Sequence, residues 1–247
     1  MPFPRLVDFT HELLAALDLD HAQPAAGSIS EKLWAACQDL ANDALKSDFM
    51  QGIGKGTLSP DNYGQYTIQD CAYCVDAADD YKTMADRANA ASETKVAAFA
   101  TARYTSFAKY NVAMLPAWHV GKADALALNK AAEQYIAHEH NVANTLEPIY
   151  GVITQIPCSQ LWPWLCEQLK AGSPAHNVYG FWLTENDSMH GAHRLDNFVD
   201  TWFAANPDKY DWDTALFAMQ GSMTGEVNLF RSACGQSLLP MPTLPPK

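Results

Sequence analysis

The chain has 247 residues, 48% of them hydrophobic and 18% charged, which is sufficient for one large hydrophobic core or two small ones. Its formal net charge of −12 argues against binding to nucleic acid or anionic lipid, because both select clustered Lys and Arg. Charged or amide residues interrupt every apolar run and the N-terminus lacks a signal-peptide pattern, so we expect a cytoplasmic protein without a membrane span.

The spacing of apolar residues predicts successive helices with short breaks. Residues 1–27 are expected to form a modest amphipathic helix and a polar linker. Ser28 and Glu31 then form a capping-box pattern, which predicts the start of the next helix. The segment 49–58 is predicted to be a loop, because it contains three glycines. These are Gly52, Gly54 and Gly56.

Ser59 and Pro60 predict the N-cap and first turn of a long helix that ends near Arg87. Further helices are expected over 92–115, 122–150, 157–169, 177–205 and 211–234. No alternation of apolar and polar residues is long enough to predict a strand. The sequence therefore predicts one all-α domain over 28–237, followed by a proline-rich, extended tail at 238–247.

Cys158 is a candidate nucleophile. The six cysteines occur without a secretory signal, which favours free thiols over disulfides. If Pro157 opens a helix, Cys158 lies in its first turn, where the helix dipole favours a thiolate. The alternative is a small, buried packing residue. Cys71 and Cys74 lack a second ligand pair and lie inside a predicted helix, so they fit packing better than zinc or redox chemistry.

Two carboxyl groups lie in apolar surroundings. Asp70 shares a predicted helix face with Tyr73, so a buried Asp70 would need a donor such as a ligand amine or ring nitrogen. Glu226 lies among methionines and Phe230 on one side of a helix, which raises the pKa of a carboxyl group and suits it to proton transfer. The alternatives are a surface aspartate and a boundary glutamate whose carboxylate reaches water.

Histidines and carboxylates cluster at two further places, which permits a metal-site hypothesis. A helical bundle can gather such residues into a di-iron site. Their polar neighbours favour solvated helix faces instead. The candidate ligands are Glu133, His140, Asp187, His190 and His193.

Several segments match, in order and spacing, the blocks of one known family. The segment 49–58, followed by a tyrosine-bearing helix and Gln69-Asp70, corresponds to the N-terminal block. The segment 156–158 corresponds to the block with a nucleophilic cysteine. Further matches are Tyr135, Tyr179-x2-Trp182, and Glu226 followed by Phe230. Together these segments resemble the TenA family, also called thiaminase II.

This resemblance implies a heme-oxygenase-like multi-helical bundle, assembled as a homo-oligomer (a tetramer or dimer), with no metal and no organic cofactor. It implies a hydrolase of thiamin metabolism that acts on thiamin or an aminopyrimidine. By the resemblance, Cys158 attacks the pyrimidine ring, Glu226 transfers protons, and Asp70 holds the amino-pyrimidine edge. Tyr73 and Tyr135 stack on the ring or bond the catalytic groups.

The departures from the family concern substrate contacts. Asn186 stands where the family usually has a tyrosine, and together with Tyr66 it is a candidate for substrate binding. The pair 229–230 and the segment 159–163 also lack aromatic residues that the family usually has. Three hypotheses follow: a cysteine-dependent aminopyrimidine hydrolase, a di-iron oxidase on the same bundle, and a protein that binds a pyrimidine without reacting. The acidic charge disfavours a regulator that binds DNA directly.

Overall fold

The computed structural model describes residues 22–244, so the helix predicted before Gly27 lies outside the described residues. Every regular element in this part of the chain is an α-helix or a 3-10 turn, which confirms the predicted all-α, multi-helical bundle. The helices are α1 (Ile29–Ala36), α2 (Gln38–Lys46), α3 (Asp48–Lys55), α4 (Pro60–Ala90), α5 (Thr94–Ala117), α6 (Lys130–Thr145), α7 (Pro148–Thr154), α8 (Ile156–Lys170), α9 (Gly180–Glu185), α10 (His190–Ala205) and α11 (Trp212–Ala233).

The predicted helix starts agree with the structure. The Ser28 side chain accepts a hydrogen bond from the Glu31 amide at 3.2 Å and caps α1. Ser59 caps α4 in the same way, and Pro60 is its first residue. The preceding helix, α3, ends at Gly56, whose φ of 72° lies in the left-handed region that favours glycine.

The loop predicted over 49–58 is wrong, because most of this segment belongs to α3. Its glycines permit close approach of neighbouring chain. A Cβ atom on Gly52 would lie 2.9 Å from the Leu58 Cβ, and one on Gly54 would lie 2.8 Å from the Leu169 Cδ2. The glycines therefore serve helix packing here, although their usual effect is to break helices.

Two predicted helices are each divided in the structure. The prediction over 122–150 becomes a 3-10 turn, then α6 and α7, and Pro148 begins α7 because it has no amide hydrogen to continue the preceding helix. The prediction over 177–205 becomes α9 and α10. Pro116, which directly follows the helix predicted over 92–115, lies in the last turn of α5.

The long helices α4 and α5 form an antiparallel pair, and their polar side chains fix its register. Asn111 Nδ2 on α5 donates to the Cys74 carbonyl oxygen on α4 at 2.9 Å. Two turns further along the pair, Arg103 Nε donates to the Tyr81 hydroxyl at 3.1 Å. Helix α11 lies at the centre of the bundle and contacts helices on every side, including α6, α7, α8 and α4.

The described part of the tail, up to Leu244, has no helix but is held against the bundle. Leu239 exchanges two hydrogen bonds with the Asn228 side chain on α11: its amide donates at 2.7 Å and its carbonyl oxygen accepts at 3.0 Å. Leu238, Leu239 and Leu244 are partly buried against the core. None of the helices between residues 22 and 244 is both long and apolar enough to cross a lipid bilayer.

Candidate active site

A cavity of about 260 Å³ lies between α4, α5, α8 and α9. Residues three or four positions apart on each helix point into it, because that spacing places them on one helix face. Aromatic rings form much of its wall, which suits a flat ring ligand. Four of the residues predicted from the sequence line it, together with an arginine and a tryptophan. These six are Tyr66, Asp70, Cys158, Asn186, Arg103 and Trp162.

Cys158 lies in the first turn of α8, as predicted, and its side chain is half-buried at the cavity wall. The predicted thiolate is wrong for the resting protein. Burial and then the nearby carboxyl groups of Glu226 and Asp70 raise the pKa of the thiol well above its usual value. The thiol therefore needs a proton acceptor before it can attack a ligand.

Glu226, on α11, lies directly behind the cavity wall and is 1% exposed. Its Oε1 accepts from the Tyr135 hydroxyl at 2.9 Å, and its Oε2 accepts from Trp162 Nε1 at 3.1 Å. Burial raises the pKa of Glu226 to about 7, and hydrogen bonding with Trp162, Tyr135 and Cys158 offsets part of that rise. The raised pKa predicted for this carboxyl group is confirmed. Near neutral pH it can both accept and donate a proton.

Asp70, on α4, faces the cavity and is half-buried. Burial raises the pKa of Asp70 to about 8, and the charge of Glu226 adds to the rise. Within residues 22–244 no group makes a hydrogen bond to its carboxyl group. Asp70 is therefore available to a ligand, and its protonated form can donate to a ring nitrogen.

Tyr73 and Tyr135 lie behind the cavity wall. Their rings stack on each other with centroids 4.4 Å apart, and both are fully buried. Neither ring is part of the cavity lining. These tyrosines were predicted either to stack on the substrate ring or to form hydrogen bonds with the catalytic groups. Tyr135 has the geometry of the latter role, because its hydroxyl donates a hydrogen bond to Glu226.

Tyr66 and Asn186 lie at the cavity, where substrate contacts were predicted. The Tyr66 ring packs beside Phe230, with centroids 5.4 Å apart, and its hydroxyl has no hydrogen-bond partner among the described residues. Asn186 Nδ2 donates to the Trp182 carbonyl oxygen of its own helix at 2.9 Å. Asn186 is therefore the C-terminal cap residue of α9, and it lines the cavity at that end of the helix.

A second buried carboxyl group, Glu139 on α6, lies deeper in the bundle. It accepts hydrogen bonds from Ser222 Oγ at 2.9 Å, Gln155 Nε2 at 2.6 Å and the Tyr73 hydroxyl at 3.4 Å. The segment around Glu133 and His140 was interpreted as a solvated helix face. This interpretation is wrong for the neighbouring residues Glu139 and His138, which are both buried.

The five candidate metal ligands do not form a common site. Glu133, His140, Asp187 and His190 are exposed, and Asp187 Oδ2 pairs with Lys170 Nζ at 2.6 Å. The part of the chain that the structure describes contains no group of three or more histidine, cysteine or carboxylate side chains arranged to hold a metal ion.

Sequence reasoning missed two side chains of this site, Arg103 and Trp162. Arg103 resembled one of several scattered bases, although Phe99 and Phe107 precede and follow it by four residues on the same helix face. A cation at the centre of an apolar stripe is the signal that was available. Trp162 follows Cys158 by four residues and so shares its helix face.

No protein-family model and no curated protein sequence matches the chain. A TenA homologue from P. horikoshii OT3 superposes with a TM-score of 0.67 at 15% identity, over 83% of this chain and 98% of that one. A TenA family transcription regulator from Silicibacter sp. TM1040 gives 0.68 at 14%, over 85% and 97%. A structure named as a TenA-like thiaminase from Sulfolobus solfataricus P2 gives 0.60 at 18%, over 83% and 95%.

Proposed function

We propose that this chain, which has the fold of the TenA homologues, belongs to the TenA family and hydrolyses an aminopyrimidine with Cys158 as the nucleophile. The observation that carries the proposal is a thiol and a carboxyl group, Cys158 and Asp70, that line one aromatic-walled cavity, with the buried carboxyl group of Glu226 beside the thiol. The same resemblance leads us to propose a cytoplasmic homo-oligomer that acts in thiamin metabolism. No metal or organic cofactor takes part in the proposed chemistry.

The first step needs a base, because the Cys158 thiol is neutral at rest. Glu226 is in contact with this thiol and, with a pKa of about 7, is partly ionised at neutral pH. The thiol proton passes to Glu226, and the sulfur forms a bond to a carbon of the pyrimidine ring. The displaced electron pair moves to a ring nitrogen, which takes a proton from Asp70. Asp70 can supply it because its pKa is raised to about 8.

The second step releases the amine. Glu226 gives its proton to the amino group of an aminomethyl substituent, the carbon–nitrogen bond breaks, and its electron pair leaves on ammonia. Asp70 takes back the ring-nitrogen proton, which leaves an exocyclic methylene group on the ring. Glu226, again ionised, is then ready to activate water.

The third step completes the hydrolysis. Water adds its oxygen to the methylene carbon and gives one proton to Glu226. The carbon–sulfur bond breaks, its electron pair returns to the Cys158 sulfur, and Glu226 reprotonates that sulfur. One water is consumed and one ammonia is released, so the product is the hydroxymethyl pyrimidine and every protein group regains its starting form.

Ammonia release from an aminomethyl pyrimidine tests this proposal. We expect Cys158→Ala to reduce release to the uncatalysed background with little change in melting temperature. Cys234→Ala is the matched control, since Cys234 is also half-buried but does not line the cavity. Turnover in Cys158→Ala equal to that of the wild type would refute the mechanism. If the wild-type protein binds the pyrimidine in a thermal-shift experiment but releases no ammonia, the chain is a binding protein.

A further inference from the structure

A buried cation forms part of the wall of the proposed active site. Arg103, on α5, is 5% exposed and lines the cavity. Its guanidinium carbon lies 5.4 Å from the Tyr81 ring centroid and 5.1 Å from that of Phe107. With the bond from Nε to the Tyr81 hydroxyl, these rings fix the plane of the guanidinium group.

The terminal nitrogens of this guanidinium group are not used by the protein. Among residues 22–244, no carboxylate lies within ion-pair distance of Arg103, and neither Nη1 nor Nη2 donates a hydrogen bond to a protein atom. A buried charge without a partner is costly, and proteins usually compensate it with an opposite charge. The guanidinium fork has the geometry to bind a carboxylate or phosphate through two parallel hydrogen bonds.

Arg103 and Asp70 line the same cavity as the Cys158 thiol but lie at different levels along α4. Arg103 contacts Tyr81, which is eleven residues beyond Asp70 on α4. Eleven residues correspond to about 16 Å along a helix axis. The thiol is influenced by both groups, because Asp70 raises its pKa and Arg103 lowers it. A ligand held over Cys158 can therefore present one end to Asp70 and the other to Arg103.

We infer that Arg103 binds an anionic group of the substrate, a carboxylate or a phosphate, at the end of the cavity opposite Asp70. This inference rests on the proposed function, since it specifies the substrate as an aminopyrimidine that carries a negative charge. Asp70 would hold the donor edge of the ring, and the fixed guanidinium group would hold the anion. The reacting carbon would then lie over the Cys158 sulfur.

Calorimetric titration of the Cys158→Ala protein tests the inference without turnover. The probes are an aminopyrimidine with a hydroxymethyl group, its phosphate ester, and the corresponding carboxylic acid. We expect one or both anionic probes to bind roughly 10- to 100-fold more tightly than the neutral alcohol. The preferred anion identifies which of the two groups the site selects. Adding Arg103→Met should abolish the preference, whereas Arg103→Lys should retain part of it.

Lys109→Met is the matched control, because Lys109 is an exposed cation on the same helix and does not line the cavity. It should leave the preference for the anionic probe unchanged. Equal binding of neutral and anionic probes to the parent protein would overturn the inference. So would an equal loss of affinity for all three probes in both Arg103 variants, which would indicate a purely structural role.

The ammonia assay separates this inference from the proposed function. If the neutral aminomethyl pyrimidine is hydrolysed but the anionic probes have no advantage, the inference fails and the proposed function stands. If no aminopyrimidine is hydrolysed and the Arg103-dependent preference is observed, the anion site stands and the proposed chemistry fails.

Discussion

Glu139 and Glu226 are both 1% exposed carboxyl groups in the same bundle, yet their surroundings differ. Three donors from the protein surround Glu139, and neither carboxyl group is itself part of the cavity wall. Glu226 accepts hydrogen bonds from Tyr135 and Trp162 and also contacts the Cys158 thiol, which lines the cavity. Burial raises the pKa of both groups, so a raised pKa alone does not distinguish them.

The difference between the two sites lies in which polar groups are left for a ligand. Around Glu139 the hydrogen bonds are internal, which holds α6 to α11 and to Gln155 between α7 and α8. At the cavity, Asp70 and the terminal nitrogens of Arg103 have no partner within the described residues. Satisfied polar groups stabilise the fold, whereas unsatisfied buried ones indicate a binding site.

Separate substitutions of the two carboxyl groups should give the largest effects. We expect Glu226→Gln to reduce the rate of ammonia release roughly 100- to 10,000-fold with a small change in stability, because the amide cannot accept the thiol proton. Glu139→Ala should instead lower the free energy of unfolding by roughly 2–4 kcal/mol, because the Ser222 and Gln155 donors lose their acceptor. The rate per folded molecule should stay near that of the wild type.

Urea unfolding and ammonia release, measured on the same preparations, check both variants. An active Glu226→Gln protein would remove Glu226 from the mechanism. A Glu139→Ala protein that is stable but inactive would mean that the Glu139 network takes part in the chemistry.

Substitutions at two glycines of α11 should separate effects on activity from effects on stability. A Cβ atom on Gly225 would collide with the Tyr135 ring, and one on Gly221 would collide with the His138 ring. Each Gly→Ala change should therefore cost roughly 1–3 kcal/mol of stability. Only Gly225→Ala should also lower the rate of ammonia release. Tyr135 forms a hydrogen bond with Glu226, whereas His138 forms one with the Ala218 carbonyl oxygen. Equal rates in the two variants at a temperature where both are folded would contradict a positioning role for Tyr135.

The pH dependence should give the smallest effects. Glu226 must be ionised to accept the thiol proton and Asp70 must be protonated to donate, and their pKa values are about 7 and about 8. We expect kcat/KM to rise with pH up to about 7 and to fall above about 8. Glu226→Gln should remove the rising limb, and an unchanged profile in that variant would contradict the assignment.

Glu226 should make the protein less stable as the pH rises toward 7, although kcat/KM increases over the same range. Its pKa in the folded state exceeds the unfolded value of about 4.3, so the folded state retains the proton to higher pH. Between about pH 4 and 7 this one group should lower the free energy of unfolding by at most roughly 1.4 kcal/mol per pH unit. Denaturant midpoints of the wild type and Glu226→Gln measure the difference.

Sequence patterns predicted the helices well where local chemistry decides the structure. Ser28 and Ser59 are caps whose bonding partners lie within three residues, so the pattern is complete in the sequence. The segment 49–58 was misinterpreted in part because a neighbour that its glycines accommodate lies elsewhere in the chain. Gly54, for example, makes room for Leu169 on α8, and only the assembled bundle reveals that contact.

The site was predicted unevenly for a similar reason. Cys158 and Glu226 were predicted from their family resemblance and their neighbours on one helix. The neutral state of the Cys158 thiol was not, because it depends first on burial in the assembled bundle and then on carboxyl groups from other helices. Arg103 was missed because its contact with Tyr81 and its place in the cavity wall arise only when α4 and α5 pack together.

The central position of α11 affects how this protein is made in the cell. This helix follows all the other described helices along the chain, and its inner face carries apolar residues such as Met219, Met223 and Phe230. The ribosome therefore releases it after the helices that must enclose it. Until then the apolar faces of α7 and α8 lack their main partner, so the nascent chain exposes them. We expect the bundle to close only once α11 has left the exit tunnel.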